Sequence, residues 1–306
     1  MAVWQVDHSG ARRRAGEQAR DVLLLGRPWF WPVSLLPYYV GLVLATHRLV
    51  PPTAELPRAA AGALVAGPLV WFAVLAINDV HDLPGDLRNP RKAHSPLVAG
   101  GLSQRTAGAL AAVASCAAML VALTVGTAFT LGTALALALG WAYSAPPIRL
   151  KERPGADVVV NALGIGALGP WAGWAALHSI GGFPWVMAVQ GTLVGVALYV
   201  PSTLADYRAD RASGYATIAV RLGRRRAYRL GFTAWAAAAG WSVLLAATGT
   251  VIPRGMLAME VLIVPALLVG YHRILHRTQT FARIAAVSVM FLIPSAVFAL
   301  SYVHAV

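Results

Sequence analysis

Asn78-Asp79-Val80-His81-Asp82-Leu83-Pro84-Gly85-Asp86 follows directly on an apolar run from Ala59 to Ile77. An apolar run of about 20 residues is long enough to cross a bilayer as a helix. Three carboxylates and an amide therefore stand at the end of a membrane helix. Asp79, Asp82 and Asp86 are spaced i, i+3, i+7, which places them within about 60° of one another if the helix continues that far. Pro84 and Gly85 argue against continuation and put Asp86 on a loop that folds back. An aspartate costs roughly 2.5–3.5 kcal/mol at the centre of a membrane helix, so such a cluster needs a compensating partner. A divalent cation is the simplest one, and hard oxygen ligands suit Mg2+.

A second acidic pair occupies a matching place. The apolar run Trp185 to Ala205 ends in Asp206-Tyr207-Arg208-Ala209-Asp210-Arg211, and Asp206 and Asp210, at i, i+4, share a helix face. Five of the twelve acidic residues thus sit at the ends of two apolar runs. Solvated helix ends, paired with neighbouring arginines, would account for one such cluster more easily than for two in equivalent positions.

The rest of the composition fits this reading. With 58% hydrophobic and 12% charged residues and a mean hydropathy of +0.63, the chain has the profile of a polytopic membrane protein and not of a soluble domain. Its one cysteine, Cys116, lies in an apolar run and excludes disulfides. Nine apolar segments are expected, at about 28–47, 59–79, 106–125, 127–145, 158–178, 184–205, 228–248, 253–271 and 282–303. Only Gly126 separates the third from the fourth, which requires a tight hairpin there. Residues 1–27, with Arg12, Arg13, Arg14 and Arg20, form a basic lead-in suited to the membrane surface, and 28–306 form one nine-helix membrane domain. The net charge of +13 sorts by side. The lead-in and the loops after segments 2, 4, 6 and 8 hold 22 of the 25 Lys and Arg, leaving Arg48, Arg58 and Arg254 on the other side. The positive-inside rule then places the N-terminus and both acidic clusters at the cytoplasmic face of an inner, multi-pass location. The basic balance is explained by topology and anionic headgroups, with no call for nucleic acid.

Three polar loops adjoin the acidic clusters. Leu87 to Gly100 carries Arg88, Arg91 and Lys92; Tyr143-Ser144-Ala145-Pro146-Pro147-Ile148-Arg149-Leu150-Lys151 follows segment 4; Gly214 to Gly223 follows the second cluster. Cations beside a metal-binding acidic cluster can hold a diphosphate, although cations at cytoplasmic helix ends also satisfy the positive-inside rule alone.

The chain resembles the UbiA superfamily of intramembrane prenyltransferases. Asn78-Asp79-x-x-Asp82-x-x-x-Asp86 is similar to that family's first aspartate-rich motif. Asp206-x-x-x-Asp210-Arg211-x-x-Gly214-x-x-Thr217-x-x-Val220-Arg221-Leu222-Gly223 is similar to the second. The segment Tyr143 to Lys151 resembles chlorophyll-synthase-like and lycopene-elongase-like members, and Arg27-Pro28 with Pro37 and Gly41 resembles the first helix. Two positions depart from the pattern: Ser95 stands where many members carry Arg before Pro, and Leu87 where a cation is frequent.

The resemblance implies an all-α bundle of nine transmembrane helices around a central cavity open near the cytoplasmic face. It implies a Mg2+-dependent prenyltransferase that ionises a prenyl diphosphate and transfers the prenyl group to a lipophilic acceptor. Asn78, Asp79, Asp82, Asp86, Asp206 and Asp210 would hold metal, with Asp79, Asp82, Asp206 and Asp210 catalytic. Arg88, Arg91, Arg149, Lys151 and Arg211 would bind the diphosphate. Trp71, Tyr143, Tyr199 and Tyr207 would line the prenyl pocket and face the carbocation, with Phe72 and Trp141 as further aromatics on the same runs. His272 and His276 have no acidic or Cys partner in sequence and indicate no zinc site. The same motifs also serve terpene cyclases, which act on the prenyl diphosphate alone. A transporter is disfavoured because both acidic clusters sit at helix ends on one face and no inverted repeat is visible.

Overall fold

The computed structural model describes residues 15–304; Arg12, Arg13 and Arg14 of the basic lead-in lie outside them. Among the described residues the protein is all-helical, without strands. Its helices are α1 (Ala15–Gly26), α2 (Pro32–Thr46), α3 (Leu56–Leu64), α4 (Val70–Asp86), α5 (Gln104–Val125), α6 (Thr127–Ser144), α7 (Ala156–Gly166), α8 (Leu168–Ala175), α9 (Trp185–Ser213), α10 (Ile218–Leu222), α11 (Arg224–Thr248), α12 (Leu257–Leu275) and α13 (Phe281–His304). Each expected apolar segment falls on one of these helices or on a broken pair. By length and composition seven helical spans among the described residues can cross a membrane, two of them running through a helix pair (Leu56–Asp86 and Ala156–Ala175), or up to eight if the pair Gly16–Phe30 and Pro32–Thr46, bent by 50°, counts as one span. The expected count of nine is therefore not fully met: α6 spans 18 residues but dilutes its apolar character with three threonines, Tyr143 and Ser144. Large apolar side chains such as Leu120, Leu262 and Ile293 point outward, as lipid-facing residues do.

Small residues let the helices approach closely, the usual device where lipid removes the hydrophobic drive for helix association. A Cβ on Gly41 of α2 would overlap the Pro170 carbonyl oxygen of α8, and one on Gly173 of α8 would overlap the Tyr38 carbonyl oxygen. Buried tyrosines add hydrogen bonds across the bundle. The Tyr38 hydroxyl donates to the Ala59 carbonyl at 2.8 Å, and the Tyr271 hydroxyl to the Ala197 carbonyl at 2.8 Å. The hairpin expected between α5 and α6 turns on Gly126, whose φ of 151° suits a residue without a Cβ. The α1 helix packs into the bundle, where Leu25 is fully buried in a cluster with Ala76 and Leu97.

The span carrying the first aspartate motif has two irregularities. Between α3 and α4 lies a π-helical turn, Val65–Leu69, in which the Val70 N–H reaches the Val65 carbonyl. At its far end α4 continues through Pro84 and Gly85 to Asp86, which corrects the expectation of a returning loop at Asp86. Pro84 lacks the N–H that would have bonded Val80, and the Gln104 side-chain amide donates to that carbonyl at 2.7 Å instead. With the freed acceptor satisfied, the cost of an interior proline falls.

Candidate active site

Because α4 stays helical, Asp79, Asp82 and Asp86 lie on one face at the end of the bundle where α9 presents Asp206 and Asp210. Asp79 is buried, 3% exposed, and accepts from the single Arg27 Nη2 at both carboxylate oxygens, at 2.5 and 2.8 Å. Lys92 Nζ stands 3.9 Å from Asp79 and 3.3 Å from Asp86. Lys151 pairs with Asp82, and Arg149 lies 3.3 Å from the same carboxylate and 2.7 Å from Glu152. Arg91 pairs with Asp206, which ties the loop after α4 to the second motif. Asp210 accepts from the Thr217 hydroxyl at 3.2 Å. Asn78 Oδ1 accepts from Lys151 and from the Ser144 hydroxyl, each at 3.1 Å.

Five aspartates thus face five cations. Among the described residues no three acidic, His or Cys groups are gathered into a ready-made metal cage; each carboxylate is held by a charged or hydroxyl donor. Burial lowers the Lys151 ammonium from its ordinary value, and the adjacent Asp82 opposes that shift. Two of the cations sit on a strained backbone: Arg27 and Arg149 have φ values of 42° and 39°, in the left-handed region that non-glycine residues rarely adopt. In Arg27 this geometry makes the break between α1 and the Pro28 turn, where a residue preceding proline avoids the α region.

Below the charged layer a cavity of about 310 Å3 runs between α3–α4, α6 and α7–α8. Asn78 and Tyr143 line its polar end, and Trp71, Phe129 and Trp171 are among its apolar walls. The Trp71 indole N–H donates to the Ser34 hydroxyl at 2.5 Å. The Tyr143 hydroxyl is 2.7 Å from that of Tyr199, so Tyr199 stands one hydrogen bond behind the wall. Asp157, fully buried, braces the charged end of the bundle: its carboxylate accepts the Gly155 N–H at 2.8 Å and the Ile218 N–H at 2.9 Å, joining the start of α7 to α10.

Of the residues expected in the site, the structure gathers Asn78, the five aspartates, Arg91, Arg149, Lys151, Trp71, Tyr143 and Tyr199. Arg88 is exposed on its loop. Arg211 is exposed and reaches the Tyr207 hydroxyl at 3.4 Å. Tyr207 does not line the cavity; it packs beside Val158 and Leu204 under the Arg224 guanidinium. The reason is that the cavity walls come from α2, α3–α4, α6 and α7–α8, with no residue of α9 among them. Phe72 packs toward Gly26 of α1, and Trp141 is exposed on the lipid side. Arg27 and Lys92 enter the site without having been singled out as ligands. The Arg27 signal was present in the Arg-Pro pair, whereas the side of its loop that Lys92 faces is set by tertiary folding.

An all-helical, multi-pass membrane protein with paired aspartate motifs above an apolar chamber defines the class. The pattern of the UbiA prenyltransferase family matches residues 34–294, and the chain belongs to that family of prenyl-transferring enzymes. It is 30% identical over 226 residues to the lycopene elongase/hydratase of Haloarcula japonica, covering 71% of this chain and 72% of the relative. It is 28% identical over 229 residues to the bacteriochlorophyll synthase 33 kDa chain of Rhodobacter capsulatus, covering 72% and 73%. Its fold is that of a UbiA homolog from Archaeoglobus fulgidus whose structure was solved bound to DMAPP and Mg2+, with a TM-score of 0.72, 24% identity, and coverage of 93% of this chain and 98% of that one.

Proposed function

We propose that this enzyme transfers a prenyl group from a prenyl diphosphate to a lipophilic acceptor in a Mg2+-dependent reaction. The observation that carries this reading is the stacking of a charged layer, five aspartates against five cations, directly on an apolar cavity with Asn78 and Tyr143 at its polar end. The donor set is all hard oxygen, which fits magnesium. Asn78, Asp79, Asp82, Asp86, Asp206 and Asp210 are the residues to hold it. The fixed charges already balance, so a diphosphate needs added positive charge to be accommodated; this argues for divalent cations from the electrostatics of the site itself. Bound Mg2+ would supply Lewis-acid stabilisation of the leaving diphosphate.

The chain's own groups do the rest. Arg91, Arg149 and Lys151, released from their aspartates, provide donors for phosphate oxygens; Arg88 is exposed and Arg211 turns to the Tyr207 hydroxyl, so neither is given a central part. The apolar chamber keeps water from the allylic cation, and the Trp71 and Tyr143 rings offer π faces to it. The relatives favour a carotenoid- or chlorin-like acceptor. The distribution of Lys and Arg supports the cytoplasmic membrane, with the aspartates facing the cytoplasm and 28–306 acting as one domain behind an interfacial N-terminal lead-in.

The test is purified protein in nanodiscs with Mg2+ and prenyl diphosphates, with and without lipophilic acceptors, followed by mass spectrometry and diphosphate release. Transfer should need both Mg2+ and acceptor and be lost in Asp79→Ala and Asp206→Ala. A cyclic terpene formed by the wild type without acceptor would overturn transfer in favour of cyclisation.

A further inference from the structure

We infer that the cavity is a ruler for the donor's allylic chain, with room for four isoprene units and with Trp171 as its stop. The inference rests on the prenyl-transfer reading above and adds the donor's length. One wall runs from Asn78 down to Val65 and the facing wall from Tyr143 down to Phe129. At 1.5 Å per residue each covers about 20 Å of depth. Three bonds of an extended chain advance about 3.5 Å, so the four backbone bonds of an isoprene unit advance about 4.7 Å. Four units then reach about 19 Å, from the polar end to the floor, while a five-carbon donor fills only the top quarter.

The floor is lined by buried side chains: Val65 is 1% exposed, Phe129 2% and Trp171 8%. The Trp171 ring lies against Gly132, where an added Cβ would overlap Cζ3 and stand 2.6 Å from Cη2. The indole thus occupies the space of a side chain at 132, and truncating it lengthens the chamber. At about 310 Å3 the cavity is at the small end for ligand pockets, which fits one slender chain and not a chain beside a polycyclic acceptor. Gly164 offers the complementary control. It lines the same cavity one helical turn below Asn161, and a Cβ there meets nothing within 4 Å. Leucine at 164 is therefore accommodated by the protein and blocks the chain below its first units.

The apolar space could instead receive the tail of the acceptor, with a five-carbon donor above it. The experiment separates these sources. Mg2+-dependent diphosphate release is measured for C5, C10, C15, C20 and C25 donors, alongside the melting-temperature shift given by unreactive thiolodiphosphates of the same lengths. In the wild type kcat/KM should climb by about tenfold or more per added unit to C20 and fall by at least about tenfold at C25. Trp171→Ala should restore C25, and Gly164→Leu should move the optimum to C10 or shorter; the melting shifts should follow the same order. Because Gly164→Leu fills open space, it stands as a test even where Trp171→Ala folds poorly. A C5 optimum, or equal use of all lengths, overturns the ruler while leaving prenyl transfer intact. A C20 optimum that neither variant moves overturns the assignment of Trp171 and this cavity. Absence of Mg2+-dependent release with every donor overturns the prenyl-transfer reading beneath it.

Discussion

Replacing Arg27 by alanine removes the charged partner of a carboxylate that is almost wholly buried. The Asp79 side chain is 4% exposed and that of Arg27 19%. Removing one partner of a buried ion pair costs about 3–5 kcal/mol, because the other charge is left uncompensated. Lys92, 3.9 Å from Asp79, can move in, so the lower end, about 3 kcal/mol, is expected. The neutral amide of Asp79→Asn should remove most of that penalty when combined with Arg27→Ala. A double-mutant cycle measured by reversible unfolding in mixed micelles, without divalent cation, should then show about 2–3 kcal/mol of coupling. Arg27→Lys keeps the charge but loses the reach and fixed geometry of the guanidinium and should fall between wild type and alanine. If the two single substitutions add within about 0.5 kcal/mol, the pair is not holding this end of the bundle and the electrostatic account of the site is wrong.

Other outcomes follow from separate features. Gly41→Val forces α2 off α8 at the Pro170 carbonyl and should destabilise by about 3 kcal/mol or more. By contrast Gly108→Ala, with open space around it, should stabilise by up to about 1 kcal/mol; melting in detergent reads both. Asp157→Ala strands the Gly155 and Ile218 N–H groups, at about 1–3 kcal/mol each, and should speed proteolytic cleavage in the 214–217 turn. Arg91→Ala should lower kcat/KM for diphosphate release by at least about tenfold, since it loses a charge-assisted contact, whereas exposed Arg88→Ala should change it by less than about twofold; equal effects would contradict the placement of the two side chains.

Much of the fold was readable because membrane helices announce themselves. Their length and apolar content are local properties, and the Gly126 turn and the two aspartate pairs are written in single short stretches. What was not readable depends on contacts between distant stretches. The continuation of α4 past Pro84 requires a donor from Gln104, and Arg27 reaches Asp79 only because a left-handed residue breaks the chain at the Pro28 turn. Tyr207 was misplaced because adjacency to an aspartate motif does not say which helices wall the cavity, and α9 does not. Arg88 and Arg91 could not be ranked from sequence, since both lie on one loop and only its path selects which one meets Asp206.

The π turn at Val65–Leu69 has a consequence for how this gene can change. One surplus residue there sets the angular phase between the floor of the chamber and the aspartates at the other end of the same span. Deleting a residue anywhere in the turn would restore an ordinary helix and swing one end about 100° against the other. Asp79, Asp82 and Asp86 would then face a different neighbour while every side chain in them stayed the same. Point substitutions can retune the chamber gradually, but its length along this span changes only in jumps that misalign the charged end. Descendants should therefore vary donor preference through bulk on the walls, keeping the residue count between Val65 and Asp79 fixed.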